Sequence, residues 1–448
     1  MRFTERKIKF KNLLTTLTAA LGVSSLLLQP VYPQQYRDGN DRPPTIIPTI
    51  TPTRTAAPTI TPILTPTTTP NNTACETGKR TPNDPKFPEQ WNLQGNSPTA
   101  LNMPLVWHIN EKYKPQYQVN IAVISTGCAY NTDLQYKESL IPNLGDPIDN
   151  FRRDDDQNGC TDDVYYGCQF DASSSLGNNN FWDTLGPGTQ MTSLLTASTN
   201  NQKQIAGMLY GIKFKIIPIG VPLLADGNTY PISLIKAFHY LAKISAKIPI
   251  DIVLVAFNCQ GLACKLYLQQ AINLLPETTT IIVSAGGTPN RQAVSIDLPE
   301  SNNSLYPASL TKSNLRVLAV GAINKNGNKL DWSNYGPESA IAAPGDDVPV
   351  LLNTYTDSAK KSGPHIAAAH VAGVAATIKA YNPSMTGPQI IAQIKKHLRP
   401  VAELNQYFIP TSCGNKIDGG ALSEAAIFPN CDQCQRVNTN SSNNAANY

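Results

Sequence analysis

At 448 residues the chain is long enough for one large α/β domain with appendages or for two ordinary domains, and 41% hydrophobic residues can build a real core. Its 36 basic and 32 acidic side chains leave a formal charge of only +4. No basic stripe interleaved with aromatics occurs, which excludes nucleic acid as a partner class.

The N-terminus reads as an address. Arg2, Arg6, Lys7, Lys9 and Lys11 precede an apolar run from Leu13 to Leu28. A basic start before a short apolar stretch has the form of a secretory signal, and the run is short for a spanning helix. No clear Ala-x-Ala site follows, so residues 1–32 are a signal peptide or an uncleaved N-terminal anchor. Either reading places the rest of the chain outside the cytoplasm, secreted, periplasmic or held at the cell surface. Residues 33–84 follow as a linker dominated by Pro and Thr, as in Pro62-Ile-Leu-Thr-Pro-Thr-Thr-Thr-Pro70. Proline removes backbone donors and favours an extended, solvated chain, so this stretch is a semi-rigid spacer.

Globular sequence begins near Pro85. Short apolar runs at Val119–Ile124, Ile216–Val221, Asp251–Phe257, Ile281–Ser284 and Val317–Val320 alternate with helix-length segments. This pattern predicts parallel strands covered on both faces. The fold class is therefore α/β, a doubly wound, mainly parallel sheet with its ligand site at the carboxyl ends of the strands.

An acidic stretch, Asp154-Asp-Asp-Gln-Asn158-Gly-Cys160-Thr-Asp162-Asp163, has oxygen donors at alternate positions and a turn glycine. Ca²⁺ takes six to eight hard oxygens, and this spacing offers Asp154, Asp156, Asn158, the Cys160 carbonyl, Asp162 and Asp163. The closing bidentate Glu of an EF-hand is missing, so the loop is EF-like only. The bland alternative is a solvated acidic turn.

Three further stretches carry the strongest signal: Ile121-Ala-Val-Ile-Ser125-Thr-Gly127, Pro187-Gly-Thr-Gln190, and Gly363-Pro-His365-Ile-Ala-Ala-Ala-His370-Val-Ala-Gly373. They resemble the motifs of the subtilases, which read Asp-Thr-Gly, His-Gly-Thr-His and Gly-Thr-Ser-Met-Ala-Ala-Pro-His-Val-Ala-Gly. The resemblance runs from about Pro85 to Pro429. It includes Asn83-Asp-Pro-Lys-Phe-Pro-Glu-Gln-Trp91, Tyr306-Pro-Ala308, Asp331-Trp-Ser-Asn-Tyr-Gly336 and Ile341-Ala-Ala-Pro-Gly345. It implies a three-layer subtilisin-like domain over residues 85–428; the polar Asn/Ser composition of 429–448 reads as a disordered tail. Many bacterial subtilases also carry an acidic loop like that at Asp154–Asp163, which supports the calcium reading. Members usually have a folded pro-segment before the domain, and the Pro/Thr spacer leaves no room for one.

The same alignment puts the wrong chemistry at each motif. Ser125 stands where the family has Asp, Pro187 where it has His, His365 where it has the nucleophilic Ser, and Gly287 where it has the oxyanion-binding Asn. A serine protease needs a hydroxyl, an imidazole to take its proton, a carboxylate behind the imidazole, and oxyanion donors. Removing the triad of a subtilisin costs on the order of a million-fold in turnover, and one oxyanion donor roughly a hundred- to a thousand-fold. The family's Ser-Leu-Gly-Gly strand end reads Ala256-Phe-Asn258-Cys259 here, and Asn258 with Cys259 is expected to crowd a bound peptide. His365, after Pro364 at a first helical position, is alternatively just an exposed helix-start residue. His370 matches a structural histidine of the family and is expected in the core.

Nine cysteines fit an oxidising compartment, and the odd number leaves at least one unpaired or paired to another chain. Local pairs are expected for Cys160 with Cys168, Cys259 with Cys264, and Cys413 with Cys431 or Cys434. A zinc role for Cys431-x-x-Cys434 lacks a second such pair. Cys128, three residues after Ser125, is expected to be buried or bridged. The expectation is an exported, calcium-stabilised, subtilisin-like protein without protease activity, binding a peptide or another surface protein. Its rivals are a serine endopeptidase with a relocated active site and a decoy competing with active paralogues. Membrane contact is expected only through an uncleaved N-terminal anchor.

Overall fold

A computed structural model describes residues 78–97, 99–134, 136–147, 153–413, 416–421 and 426–427. Backbone contacts divide the chain between Ile63 and Leu64, and every described residue lies in the second unit. The address segment, nearly all of the spacer and the polar tail lie outside the described residues.

Six parallel strands form the centre: β1 Gln118–Ser125, β2 Lys213–Gly220, β3 Ile252–Val255, β4 Thr280–Ser284, β5 Val317–Ile323 and β6 Ile341–Pro344. Their spatial order is β6-β5-β4-β3-β1-β2. Five match the apolar runs of the sequence; β6 lies in Ile341-Ala-Ala-Pro, too short and small to stand out. Ile121, Ile124, Leu254, Ile282 and Leu318 are fully buried, as strands covered on both faces require. Burying each such side chain stabilises by roughly 1.5–3 kcal/mol.

The helices of ten or more residues are α1 Met103–Tyr113, α2 Pro187–Thr196, α3 Pro231–Ile244, α4 Leu262–Asn273, α5 Pro364–Tyr381 and α6 Gly387–Lys396. The chain steps from β1 to β2 on one side through α2, then to β3 on the other side through α3. Helix α2 packs against α5, and α3 packs against α4. Helix α5 packs against α2, α6 and the strands β3 to β6. It is apolar on all sides, and all of its residues except His365 are buried. The reversal at β1 puts the ligand position expected of a doubly wound sheet at the carboxyl ends of β1, β3 and β4. Among the described residues no helix is long and apolar enough to cross a membrane.

Candidate functional site

The first turns of α2 and α5 converge on the end of β1. In α2 every residue except Pro187 is buried, and in α5 every residue except His365. Each helix has Pro at its first position, where no N–H partner is needed, after a glycine. Asp183 completes the α2 start. Its carboxylate accepts the N–H groups of Leu185 (3.0 Å), Gly186 (2.7 Å) and Thr189 (2.8 Å) and the Thr189 hydroxyl (2.7 Å). The sequence reading passed over Asp183, although an acid just ahead of a Pro-started helix is a capping signal. Gly188 donates its N–H to Thr126 Oγ1 at 3.0 Å. A β-carbon on Gly188 would overlap the Gly127 carbonyl, so this close approach of helix to strand needs glycine.

His365 is turned inward against α2. Its Nε2 lies 3.4 Å from Oε1 of Gln190. The expected exposed helix-start residue is thus half-buried, because its ring folds back over Gly363 and fills the gap between the two helix ends. Burial brings its pKa down to about 4, so the imidazole is neutral at physiological pH. His370 is a core residue, as expected. One ring nitrogen meets the Ile366 carbonyl at 2.9 Å and the other Asn92 Nδ2 at 2.7 Å.

Ser125 ends β1 with its side chain fully buried, and its Oγ has no hydrogen-bond partner. Gly287 follows β4 with φ +116°, a conformation that L side chains rarely adopt. A β-carbon there would overlap the carbonyl oxygen of Trp332. The Trp332 ring in turn reaches to 3.6 Å from where a β-carbon on Gly363 would sit. The four motif positions therefore meet at one place, with Gln190 and Trp332 filling between them.

The strand end after β3 differs from expectation. Asn258 does not crowd the crevice with its side chain. It is fully buried, donates to the Ser284 carbonyl at 2.9 Å and accepts the Ala308 N–H at 3.0 Å. Two unpaired backbone groups drew the amide inward. Leu305 Cδ1 and Asn258 Nδ2 lie 3.7 Å and 3.2 Å from the β-carbon position of Gly286, so they occupy the space between the two strand ends. Cys259–Gln260 pairs antiparallel with Leu305–Tyr306, and Cys259 is bonded to Cys264 at the start of α4.

In the acidic loop, carboxylate oxygens of Asp146, Asp154 and Asp156 lie within 4.8 Å of one another. Asp146, eight residues upstream of Asp154, was not among the sequence candidates because it lies outside the EF-like spacing. Asp162 is not part of this cluster, and Asp163 borders it, donating its N–H to Asp146 Oδ2 at 3.3 Å. Asp162 sits at a left-handed turn, φ 55°. Asp163 turns into the protein to accept Tyr240 Oη (2.6 Å), Asn158 Nδ2 (3.0 Å) and Asn143 Nδ2 (2.9 Å). That uses up the Asn158 amide, and burial pushes the Asp163 carboxyl up to about 7. The Cys160 N–H is satisfied by Asn158 Oδ1 at 2.8 Å. Lys247 Nζ reaches Asp156 Oδ2 at 2.6 Å, supplying positive charge to the cluster.

Cys160 is bonded to Cys168, as expected. Cys128 is a buried free thiol whose pKa burial pushes up to about 12, so it has no thiolate character. The Cys413 side chain, Cys431 and Cys434 lie outside the described residues. Among the described residues, no carboxylate or hydroxyl hydrogen-bonds to the imidazole of His108, His239, His365 or His370. A neutral imidazole facing an amide can hold a peptide group by a hydrogen bond. For His365 the side-chain hydrogen-bond partner among the described residues is the Gln190 amide.

The family model that matches this chain is that of the subtilase family, over residues 117–420. An extracellular protease of Xanthomonas campestris pv. campestris is 26% identical over 363 residues, 78% of this chain and 57% of that protein. The extracellular basic protease of Dichelobacter nodosus is 26% identical over 67% of this chain and 48% of its own length. The chain thus spans about half the length of these relatives. Among solved structures, a protease of Pseudoalteromonas arctica PAMC 21717 is similar in fold, with a TM-score of 0.53 at 22% identity. The match covers 78% of this chain and 100% of that one.

Proposed function

The chain belongs to the subtilase family, and from that premise we propose that it is an exported, catalytically inactive member with a binding role. The observation that carries this reading is the pairing of His365 with Gln190 at the first turn of α5, where the family's nucleophile would stand. A neutral imidazole against an amide leaves no activated hydroxyl and no proton relay. Gly287 supports the reading from the oxyanion side, since the Trp332 carbonyl, an acceptor, stands where a donor side chain would begin. Ser125 adds no charge to stabilise an imidazolium.

Export is supported by the basic-apolar N-terminus, by two disulfides among the described residues, and by the extracellular relatives. The ligand class proposed is a peptide or a segment of another surface protein, taken up along the crevice at the carboxyl ends of β1, β3 and β4. For the acidic loop we propose Ca²⁺ held by Asp146, Asp154 and Asp156, three hard carboxylates close enough to share one ion. The ion would displace the Lys247 ammonium from Asp156.

A second reading, a serine endopeptidase with a relocated active site, is favoured by the names of the relatives, which are proteases. Turnover of casein by the purified full chain separates the two. No hydrolysis above buffer after a long incubation with calcium is expected. Calcium-independent or calcium-stimulated cleavage that follows the protein through purification would establish the second reading.

A further inference from the structure

We infer that the loop Leu330–Ser333 and the rings of Tyr335 and Tyr407 form a cation site of the ammonium class, filled from within by Lys329. The Lys329 Nζ donates to three backbone carbonyls, those of Leu330 (2.6 Å), Asp331 (3.2 Å) and Ser333 (3.0 Å). The same nitrogen lies 5.7 Å from the Tyr335 ring centroid and 5.2 Å from that of Tyr407. The two rings meet edge to face, centroids 5.3 Å apart. An ammonium has three N–H donors and no acceptor, so three carbonyls satisfy it completely, and the aromatic faces supply the rest of its attraction. Lys215 and Lys236 each donate to two carbonyls and Lys112 lies over one ring, whereas Lys329 has three carbonyls and two rings.

The site has a consequence for the crevice. The three carbonyls belong to residues on both sides of Trp332, whose own carbonyl is thereby left pointing at Gly287. The loop is further tied by Ser333 N–H to the Leu330 carbonyl (2.9 Å) and Asn334 N–H to the Gly286 carbonyl (3.0 Å). Three carbonyl dipoles turned toward one point repel each other unless a cation sits between them. Lys329 is that cation, and it makes the order of this loop independent of ions in the medium. Beside it opens a pocket lined by Asp331, Tyr335, Glu403 and Tyr407, through which a small cation could reach the carbonyls once the lysine stem is gone.

The test is hydrogen exchange at the amides of Ser333 and Asn334 in the full chain, for wild type and Lys329→Ala, with and without methylammonium chloride. Losing charge-assisted hydrogen bonds should speed exchange at these amides roughly ten- to a hundredfold in Lys329→Ala. Methylammonium should reverse this saturably, tetramethylammonium at equal ionic strength should not, and neither salt should affect wild type. Lys329→Met, which keeps an apolar stem and blocks the cage, should exchange fast and stay unresponsive; it also serves if the alanine variant fails to fold. Unchanged exchange in both variants would overturn the site. Equal rescue by both salts, or rescue by neither, would overturn it as well.

Discussion

The imidazole of His365 faces the side-chain amide of Gln190 across the first turns of two helices, Nε2 to Oε1 at 3.4 Å. Both residues lie at motif positions, and neither can ionise usefully there: one is an amide, the other a histidine held neutral by burial. The triple change Ser125→Asp, Pro187→His and His365→Ser would put a carboxylate, an imidazole and a hydroxyl at the three motif positions. Peptidase activity is nevertheless expected to stay at background. Gly287 offers no side-chain donor, and the Trp332 carbonyl stands where one would begin. Positioning and oxyanion stabilisation each carry several kcal/mol of a protease's barrier reduction, and the triad restores neither. Efficient casein cleavage by the triple variant would mean the crevice is still built for substrate.

Adding Gly287→Asn to repair the oxyanion side should fail for a different reason. At φ +116° any side chain is strained, and its β-carbon meets the Trp332 carbonyl. The single variant should lose at least about 2 kcal/mol in urea unfolding. An unchanged unfolding midpoint would show that the Trp332 loop yields easily.

Much of this was legible in the sequence, and the part that was not has a physical pattern. Five of the six central strands announced themselves as apolar runs, because burial on both faces demands Val, Ile and Leu. The convergence of Ser125, Pro187, His365 and Gly287 followed from family motifs. What stayed hidden were partners distant in the chain. Gln190 opposite His365 and the Trp332 carbonyl at Gly287 depend on how α2, α5 and the loop after β5 dock. Asn258 looked like an obstacle because local spacing says nothing of the Ser284 carbonyl and Ala308 N–H that draw it inward. Asp146 escaped because it joins the acidic cluster from outside the regular spacing.

Calcium should raise the melting temperature, since a ligand held only by the folded state stabilises it by mass action. Asp146→Asn and Asp156→Ala should each shrink the difference between calcium-loaded and chelator-treated protein. Asp162→Asn should leave it nearly intact, because Asp162 is not in the three-carboxylate cluster. Identical melting curves in calcium and in chelator would remove the ion from the account.

Acid should weaken the fold through His370. Its pKa in the folded protein, about 4, lies below the ordinary 6.5, so the unfolded chain binds more protons between these values. The stability it contributes is fully present above about pH 6.5 and is lost as pH falls toward 4, about 3 kcal/mol in all. Asp133 and Asp163, whose carboxyls burial raises to about 6 and about 7, act in the opposite sense, so a difference measurement is needed. Unfolding free energies of wild type and His370→Asn should converge between pH 7 and pH 4.5. A gap that stays constant across that range would remove the assignment.

Peptide mapping of protein made in an oxidising compartment should find the Cys160–Cys168 and Cys259–Cys264 bridges. Cys128 should resist alkylation until the protein is unfolded, since its thiol is buried and its pKa is pushed up to about 12. Rapid alkylation of Cys128 in native protein would place it on the crevice surface instead.

The most direct test of inactivity is covalent labelling of the folded, full-length chain with a fluorophosphonate probe, which reports an activated hydroxyl without any assumption about substrate. The expected result is no labelling above that of heat-unfolded protein, with or without calcium. Stoichiometric labelling abolished by changing one identifiable serine would contradict the account and locate the active site it denies.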